Sequence, residues 1–271
     1  MFRYAADRLP VFIILSFSLL DFTLYFILDN VWWLLLYFLL MIFPKGLICA
    51  WNHHHQHTHT FYRKPLNRLL EFFFALHTGA TTNLWVLHHV LGHHKNFLDQ
   101  SKDESRWRRE DGKTMSPLEY AFSVASTSYY RGFQVGRKFA RVQYDFVLYS
   151  LLTFSILILL CWYKLVPALF IFVLPMIISL FFTAWVTYDH HAGLDTDHQY
   201  VASYNNINRL FNIFTGNLGY HSAHHFQQGL HWSKLPELHE EIKHRIPPEL
   251  IRNEVFVISE AQSASKSYAT D

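Results

Sequence analysis

The sequence predicts an all-α integral membrane protein with four transmembrane helices, further interfacial helices and a cytosolic histidine-rich cap. Composition is the first observation behind this fold class: of 271 residues, 51% are hydrophobic and 18% aromatic, and the apolar residues are concentrated in long runs. The second is the placement of the histidines, because 14 of the 19 lie in four short groups outside these runs. Histidine is costly inside hydrocarbon, so clusters beside spanning segments indicate a functional site.

Four apolar runs are long enough to cross a bilayer. A helix rises about 1.5 Å per residue, so roughly 20 residues cross a hydrocarbon core about 30 Å thick. The first two runs contain one charged residue each, Asp21 and Lys45, and the other two contain none. Core helices of a soluble protein would have to be apolar on every face along their whole length, so four spans are the better interpretation. The predicted spans are residues 10–28, 31–51, 146–163 and 165–188.

Two further helices are predicted outside the spans. Residues 69–91 form a weaker apolar segment, interrupted by polar residues and Gly79, so we expect a helix at the membrane interface. Ser116 and Pro117, followed by Glu119, have the pattern of a helix N-terminus. We expect an amphipathic helix over residues 118–143, with its basic side against lipid head groups or, as the alternative, binding a substrate head group.

The distribution of cations predicts the topology. With the N-terminus in the cytoplasm, Lys164 is the one residue among 23 lysines and arginines that lies on the far side of the membrane. This asymmetry agrees with the positive-inside rule. The same orientation places all four histidine groups on the cytoplasmic face, although only cations were used to choose it.

The sequence favours a single membrane-embedded domain over residues 1–250 and a polar C-terminal tail over residues 251–271, disordered at its end. The formal net charge is only +2, and we expect no nucleic acid partner because no basic binding motif is present. Cys49 and Cys161 lie near opposite ends of their spans, so neither a disulfide nor a thiolate metal site is expected.

Histidines recur at a spacing of four residues, which places two side chains on one face of a helix. The pairs at this spacing are His53 and His57, His89 and His93, and His221 and His225. His94 and His224 each follow or precede a pair member, rotated by about 100° around a helix axis. Adjacent histidines cannot easily bind the same ion but can reach two neighbouring ions, so the pattern predicts a dinuclear centre. Imidazole suits iron, zinc, copper and nickel, so the ligand type alone does not select the metal.

These motifs resemble the three histidine boxes of the membrane fatty acid desaturase/hydroxylase superfamily. The boxes are HxxxH at 53–57, HxxxHH at 89–94 and HxxHH at 221–225, in the family's order. The stretch GYHSAHHFQQGLHWSKLPELH is similar to the final box of desaturases, whereas HHVLGHHKN and TYDHHAGL look closer to the alkane hydroxylase branch. The resemblance covers roughly residues 45–240.

The resemblance implies a set of metal ligands and a further set of residues around them. The first box offers two registers, His53 with His57 or His55 with His59, of which we favour the first because it lies nearer the span. Additional ligands or partners of ligands would be His54, His55, His59, His88, His190, Asp189 and Asn217. The implied metal ligands are His53, His57, His89, His93, His94, His191, His221, His224 and His225.

By the same resemblance, the cofactor would be a non-haem diiron centre that uses O₂ and electrons to oxidise an unactivated C–H bond of a lipid acyl chain. The expected reaction is desaturation of a fatty acid or acyl lipid, with hydroxylation or oxidative decarboxylation as alternatives. The sequence carries no flavin, haem or ferredoxin signature. We therefore expect an external electron donor such as a ferredoxin or a cytochrome b5-type carrier.

Two other functional classes would also use clustered histidines. A divalent-metal transporter with a histidine-rich gate predicts polar or acidic ligands in the middle of its spans, where transporters bind their ions, and these positions are apolar here. A structural zinc site needs only four ligands, whereas the histidines of the four groups provide many more.

Overall fold

The computed structural model describes residues 1–255 and 266–267, and this part of the chain is nearly all helical. Four strands of two residues each are β1 Leu194–Asp195, β2 Asn205–Asn206, β3 Ile251–Arg252 and β4 Lys266–Ser267, and the 3₁₀-helices are Ala5–Asp7, Trp232–Lys234, Lys243–Arg245 and Pro248–Leu250. The π-helical segments are Val86–His93 and Leu169–Val173. The α-helices are α1 Arg8–Ile27, α2 Val31–His57, α3 Lys64–Thr78, α4 Pro117–Gly136, α5 Ala140–Tyr163, α6 Leu165–Ala168, α7 Leu174–His191, α8 Arg209–Thr215, α9 His221–Phe226 and α10 Leu235–Ile242.

Four helical segments have the length and hydropathy of membrane spans, which confirms the predicted fold class. They are Ala5–Ile27, Val31–His57, Ala140–Tyr163 and Leu165–His191, with 23 to 27 residues each. The second and fourth continue beyond the predicted apolar runs, so each carries histidines on its last turn. The cytosolic position of the histidine-rich part stays a prediction.

The described chain divides into two compact units. Residues 1–85 and 136–182 form unit 1, and residues 86–135 with the described part of 183–271 form unit 2. The prediction of a single domain over residues 1–250 is not tested by this division. Of the predicted tail 251–271, residues 256–265 and 268–271 lie outside the described residues. Ile251 and Arg252 pair in parallel with Asn205 and Asn206 in unit 2.

Unit 1 contains α1, α2, α3 and α5 and has apolar cores built around Tyr25 and Phe172 and around Ile48 and Phe74. The connection between the first two spans and the connection between the last two lie at the same end of this unit. Lys164 binds the Asp29 carboxylate at 2.8 Å and the Phe26 carbonyl at 2.9 Å. The cation on which the predicted topology depends is therefore anchored at the end of two spans.

A buried ion pair lies between the spanning helices of unit 1. The Lys45 ammonium and the Asp21 carboxylate are 2.7 Å apart, and neither side chain is more than 1% exposed. Tyr37 donates to the same carboxylate oxygen at 2.6 Å, and Lys45 also donates to the Ile171 carbonyl at 2.7 Å. His77 Nδ1 lies 3.4 Å from the other carboxylate oxygen. The two charges of the predicted spans thus compensate each other.

The predicted interfacial helix 69–91 is wrong as a single element. The chain forms α3, turns after Thr78, and enters the π-helix Val86–His93. Gly79 has φ 71°, and a Cβ there would lie 2.4 Å from the Met176 carbonyl oxygen. Glycine is therefore required at this turn, because other residues rarely adopt a positive φ and would also collide with the neighbouring backbone.

The predicted amphipathic helix 118–143 begins where expected but ends early. Ser116 and Glu119 form a capping box: the Glu119 backbone N–H donates to Ser116 Oγ and the Ser116 N–H donates to the Glu119 carboxylate, both at 3.3 Å. The helix ends at Gly136, and α5 starts at Ala140. A Cβ at Gly136 would lie 3.0 Å from the Gln143 side chain. The start of α5 therefore packs closely against the end of α4 after the turn between them.

Candidate metal centre

The second histidine motif lies on a π-helix in unit 2, and this changes which of its side chains share a face. The backbone N–H of His94 donates to the carbonyl of His89 at 2.8 Å, a bond between residues five apart. His89 and His94 consequently point the same way, with 3.0 Å between their Nε2 atoms. The predicted pairing of His89 with His93, which assumed α-helical spacing, is wrong for this segment.

One group of imidazoles forms around His94. Its Nε2 lies 3.0 Å from that of His89 and 3.0 Å from that of His224 on α9. All three side chains are buried. We call these three residues the first imidazole group.

A second imidazole group forms from the π-helix, α7 and α9. It contains His93, His191, His221 and His225. The Nε2 of His191 lies 3.2 Å from that of His93 and 3.0 Å from that of His221, which in turn lies 3.2 Å from that of His225. Adjacent residues 93 and 94, and likewise 224 and 225, belong to different groups. This is the arrangement expected where neighbouring histidines reach two ions.

The hydrogen bonds of the second group identify which ring nitrogens lack a proton. His93 Nδ1 lies 2.9 and 3.0 Å from the two carboxylate oxygens of Asp103, which can only accept. His191 Nδ1 donates to the Ala202 carbonyl at 2.8 Å. With a proton on Nδ1, a neutral ring carries a lone pair on Nε2. The two Nε2 lone pairs then face each other across 3.2 Å, a contact that a cation between them would stabilise.

Electrostatics favour the neutral form of His225 and His88 in this unit. Burial, with further contributions from neighbouring histidines, holds the pKa of His225 well below its usual value. Burial and the nearby Arg131 lower the pKa of His88 to about 3. Neutral imidazole is the form that binds metals.

The spacing of the nitrogen atoms also fits metal coordination. Imidazole nitrogens bind an ion at about 2.1 Å, so two that subtend a right angle lie roughly 3.0 Å apart. The nitrogen contacts in the two groups measure 3.0 to 3.2 Å. A donor set of imidazoles alone suits a borderline transition metal such as iron or zinc and is unsuited to calcium or magnesium. The residues present therefore fit a metal centre.

The first histidine motif lies at the end of α2 in unit 1. His53 and His57 are one helical turn apart, and their Nε2 atoms are 3.1 Å apart. The His53 ring also contacts Trp85, with 5.4 Å between ring centroids, and His54 contacts Trp51. His55 and His59, the other register left open by the sequence, lie together with Glu71 in a separate cluster, and the choice of register stays a prediction.

The remaining predicted residues have more varied surroundings. The His190 ring stacks on His221 with 3.8 Å between centroids. Asp189 is buried near the end of α7. The Asn217 amide donates to the Trp232 carbonyl at 3.2 Å, so this hydrogen bond goes to the backbone and not to a histidine. His88 is buried on the π-helix.

Sequence reasoning missed three partners of the histidines: Asp103, the Ala202 carbonyl and Glu71. Asp103 lies in a segment that looked like an exposed loop, yet it is only 4% exposed. One signal in the sequence could have located it: a tryptophan, Trp107, stands among charged residues nearby. In the structure this tryptophan is 1% exposed. A backbone carbonyl such as that of Ala202 has no signal in the sequence.

Comparison with known families identifies the class of protein. A family model described as fatty acid desaturase matches residues 30–254. The chain belongs to the fatty acid desaturase family. A search of the curated proteins and a search of the solved structures each find no match to it. Membership supports a fatty acid desaturase/hydroxylase type of function, a membrane location and metal use, for which the described histidine clusters are suitable.

Proposed function

We propose that this fatty acid desaturase family member is an O₂-dependent diiron oxidoreductase that introduces a double bond into the acyl chain of a fatty acid or acyl lipid. The single observation that carries the proposal is the division of the buried histidines of unit 2 into two imidazole groups. One group suits one ion, and the two groups suit two. Family membership supports iron as the metal and lipid as the substrate.

The chain's own residues would bind and orient the metals. The ligand set comprises the seven histidines of the two imidazole groups, together with His53 and His57, which the family resemblance adds. Asp103 holds the proton on Nδ1 of His93, and the Ala202 carbonyl does the same for His191, so both rings present Nε2. Such partners fix the orientation of a ligating ring and increase its basicity.

Burial around the groups would exclude water from the reacting atoms. His93 and His224 are each 1% exposed, and His221 is 2% exposed. Iron bound by these residues would supply the activation of O₂ that oxidation of an unactivated C–H bond requires. An alkyl chain offers neither an acidic proton nor an electrophile, so acid–base side chains alone could not perform this reaction.

The third histidine motif and the LPELH sequence that follows it support desaturation over the alternatives. The second motif and TYDHHAGL favour hydroxylation as a second candidate, since they resemble the alkane hydroxylase branch. Both reactions remove hydrogen from the same class of bond, so the identity of the product distinguishes them. We further propose a multi-pass topology with the histidines on the cytoplasmic face and electron supply by a ferredoxin or cytochrome b5-type carrier.

The metal content of full-length protein purified in detergent tests the diiron proposal. We expect two iron ions per chain by elemental analysis and a coupled pair by Mössbauer spectroscopy. His93→Ala and His224→Ala each remove a ligand from a different group and should each lose iron. His198→Ala is the matched control, because this half-exposed histidine belongs to neither group. Tightly bound zinc without iron in the wild type would contradict the proposal.

Product analysis then tests the reaction. Membranes containing the protein and a reducing carrier should convert saturated acyl chains to monounsaturated products, detected by mass spectrometry of the released fatty acids. Hydroxylated products in place of unsaturated ones would assign the second candidate. Neither product should form with His224→Ala.

A further inference from the structure

A third cluster of metal-binding side chains lies in unit 1 and contains none of the proposed diiron ligands. His55, His59 and Glu71 each offer one donor atom, and these atoms all lie within 4.8 Å of one another. His55 is 2% exposed and Glu71 is 1% exposed. His59 is partly exposed, which would leave a route for an ion to enter.

The backbone explains how the three residues meet. His55 lies on the last turns of α2, which ends at His57, and His59 follows in the connection to α3. Glu71 is on the buried side of α3. The first histidine motif therefore carries two interleaved pairs, of which His55 and His59 are held beside a carboxylate.

The hydrogen bonds around His55 suit a metal ligand. Its Nδ1 lies 2.9 Å from the Thr60 hydroxyl, which can accept a hydrogen bond from Nδ1–H, and 3.4 Å from the Thr60 backbone nitrogen, whose N–H donates to Nδ1 when that atom lacks a proton. Its Nε2 lies 3.3 Å from Glu71 Oε1. A cation bound at Nε2 would select the tautomer with the proton on Nδ1, in which the Thr60 hydroxyl accepts from Nδ1 and the Nε2 lone pair and Glu71 Oε1 both face the ion. Metal-bound histidines usually donate their other N–H to such a partner.

The Glu71 carboxylate is likewise oriented by a partner, Arg68, which binds one of its oxygens and leaves the other facing His55. Arg68 donates to Oε2 at 2.5 Å, so Oε1 faces His55. Arg68 also binds Asp145 at 2.9 Å, which balances part of its charge. Ligating carboxylates are commonly hydrogen-bonded in this way. These bonds account for the orientation of Glu71, but the His59 ring takes no part in them.

We propose that His55, His59 and Glu71 bind one divalent transition-metal ion, with zinc the metal that this donor set favours. Two imidazoles and one carboxylate form a common ligand set for zinc and leave a fourth position for water. The ion links the end of α2, the connection that follows it and α3. Its role is to hold the segment beside His57 in place.

Metal counting on full-length detergent-purified protein tests the proposal independently of activity. We expect Glu71→Gln and His59→Ala each to lose one equivalent of metal per chain while iron is unchanged. Because Glu71 is buried and its variant could misfold, His59→Ala, at a partly exposed position, provides the second test. Thr60→Val removes the partner of His55 Nδ1 and should weaken Zn²⁺ binding by about 10- to 100-fold.

Lys64→Met is the matched control because it removes an exposed ion pair to Asp145 at the start of α3 and leaves the three donor atoms and the Arg68 contact with Glu71 in place. A metal site predicts that this variant keeps its third metal ion, whereas Glu71→Gln loses it. If the cluster is only a hydrogen-bonded ion-pair network, the metal content of wild type, Glu71→Gln and His59→Ala will be the same. That result would overturn the proposal.

A double variant separates this site from the proposed diiron centre. In His93→Ala/His224→Ala protein, one equivalent of metal should remain, and adding Glu71→Gln should remove it. Titration of metal-depleted protein with Co²⁺ gives a second measurement, since a bound Co²⁺ produces visible absorption bands. The wild type should bind one more Co²⁺ than Glu71→Gln. Equal Co²⁺ uptake would contradict the third site, whatever the iron content of the wild type.

Discussion

Unit 1 buries a lysine beside an aspartate, whereas unit 2 buries neutral imidazoles with their nitrogen atoms facing one another. Lys45 and Asp21 are opposite charges 2.7 Å apart, and Tyr37 and the Ile171 carbonyl satisfy further bonding positions. In the second imidazole group, the Nε2 atoms of His93 and His191 are both acceptors when the rings are neutral, and they lie 3.2 Å apart. The first cluster is balanced by the protein itself, and the second has nitrogen atoms placed so that they could hold a cation.

The difference shows how to separate structural from functional polar groups inside a membrane protein. Burying a polar atom costs free energy unless a partner compensates it. Where the partner belongs to the chain, as for Lys45, the cluster explains itself as part of the fold. Where the nearest neighbour can have the same polarity, as for Nε2 of His93 and of His191, the cluster could hold a cation.

The largest effect is expected from His191→Ala. This variant removes the ring whose Nε2 contacts those of both His93 and His221, so the second imidazole group loses its central member. We expect loss of bound iron and of all detectable oxidation of acyl chains, measured by elemental analysis and by product analysis. His190→Phe is the matched control at the adjacent position, since it keeps an aromatic ring stacked on His221. Retention of two iron ions in His191→Ala would show that this ring is not a ligand.

The next largest effect is expected from Lys45→Met, which leaves the buried Asp21 carboxylate without its counter-charge. Breaking a buried ion pair in this way costs about 3–5 kcal/mol of folding free energy, whereas replacing both partners by apolar residues is often close to neutral. The midpoint of unfolding in detergent should therefore fall sharply in Lys45→Met and recover in Asp21→Leu/Lys45→Met. If the double variant were no more stable than the single one, the pair would have a role beyond charge balance.

The sequence was sufficient to predict the spans because their apolar character is continuous and nearly free of charge. All four spanning helices are present, and the second and fourth extend to His57 and His191. The chain breaks that were missed occur at Gly79 and Gly136, and at Gly79 the close contact is with Met176, which is distant in sequence. Such contacts have no local pattern.

The candidate site was predictable in its residue types and less so in its geometry. Histidine spacing correctly indicated that neighbours such as His93 and His94 would divide between two groups. The pairing within the second motif was wrong because a π-helix places residues five apart on one face, as for His89 and His94. Asp103 was missed because nothing in its hydrophilic segment marks it as buried.

A smaller effect is expected from Asp103→Ala, which keeps every proposed ligand but removes the acceptor of His93 Nδ1. Loss of such a partner typically lowers metal affinity about 10- to 100-fold. We expect iron to dissociate more readily in a competition with a chelator, while the protein remains folded. Asp111→Ala is the control in the same segment, because its carboxylate is half exposed and pairs with Lys113. Equal chelator resistance of the two variants would remove Asp103 from the centre.

The smallest effect is expected at His239, a buried histidine outside every metal-binding cluster of the described residues. Its ring packs against Tyr220, and burial lowers its pKa below the usual value of 6.5. As the pH falls below about 6.5, the unfolded chain therefore binds a proton at this residue more readily than the folded chain does. Protonation of His239 thus lowers the stability of the fold in acid. His239→Phe keeps the ring and removes the titration. Its unfolding midpoint should drop slightly less than that of the wild type between about pH 7 and about pH 5. A steeper drop in His239→Phe would mean that the fold stabilises protonated His239, as it stabilises the charges of Asp21 and Lys45.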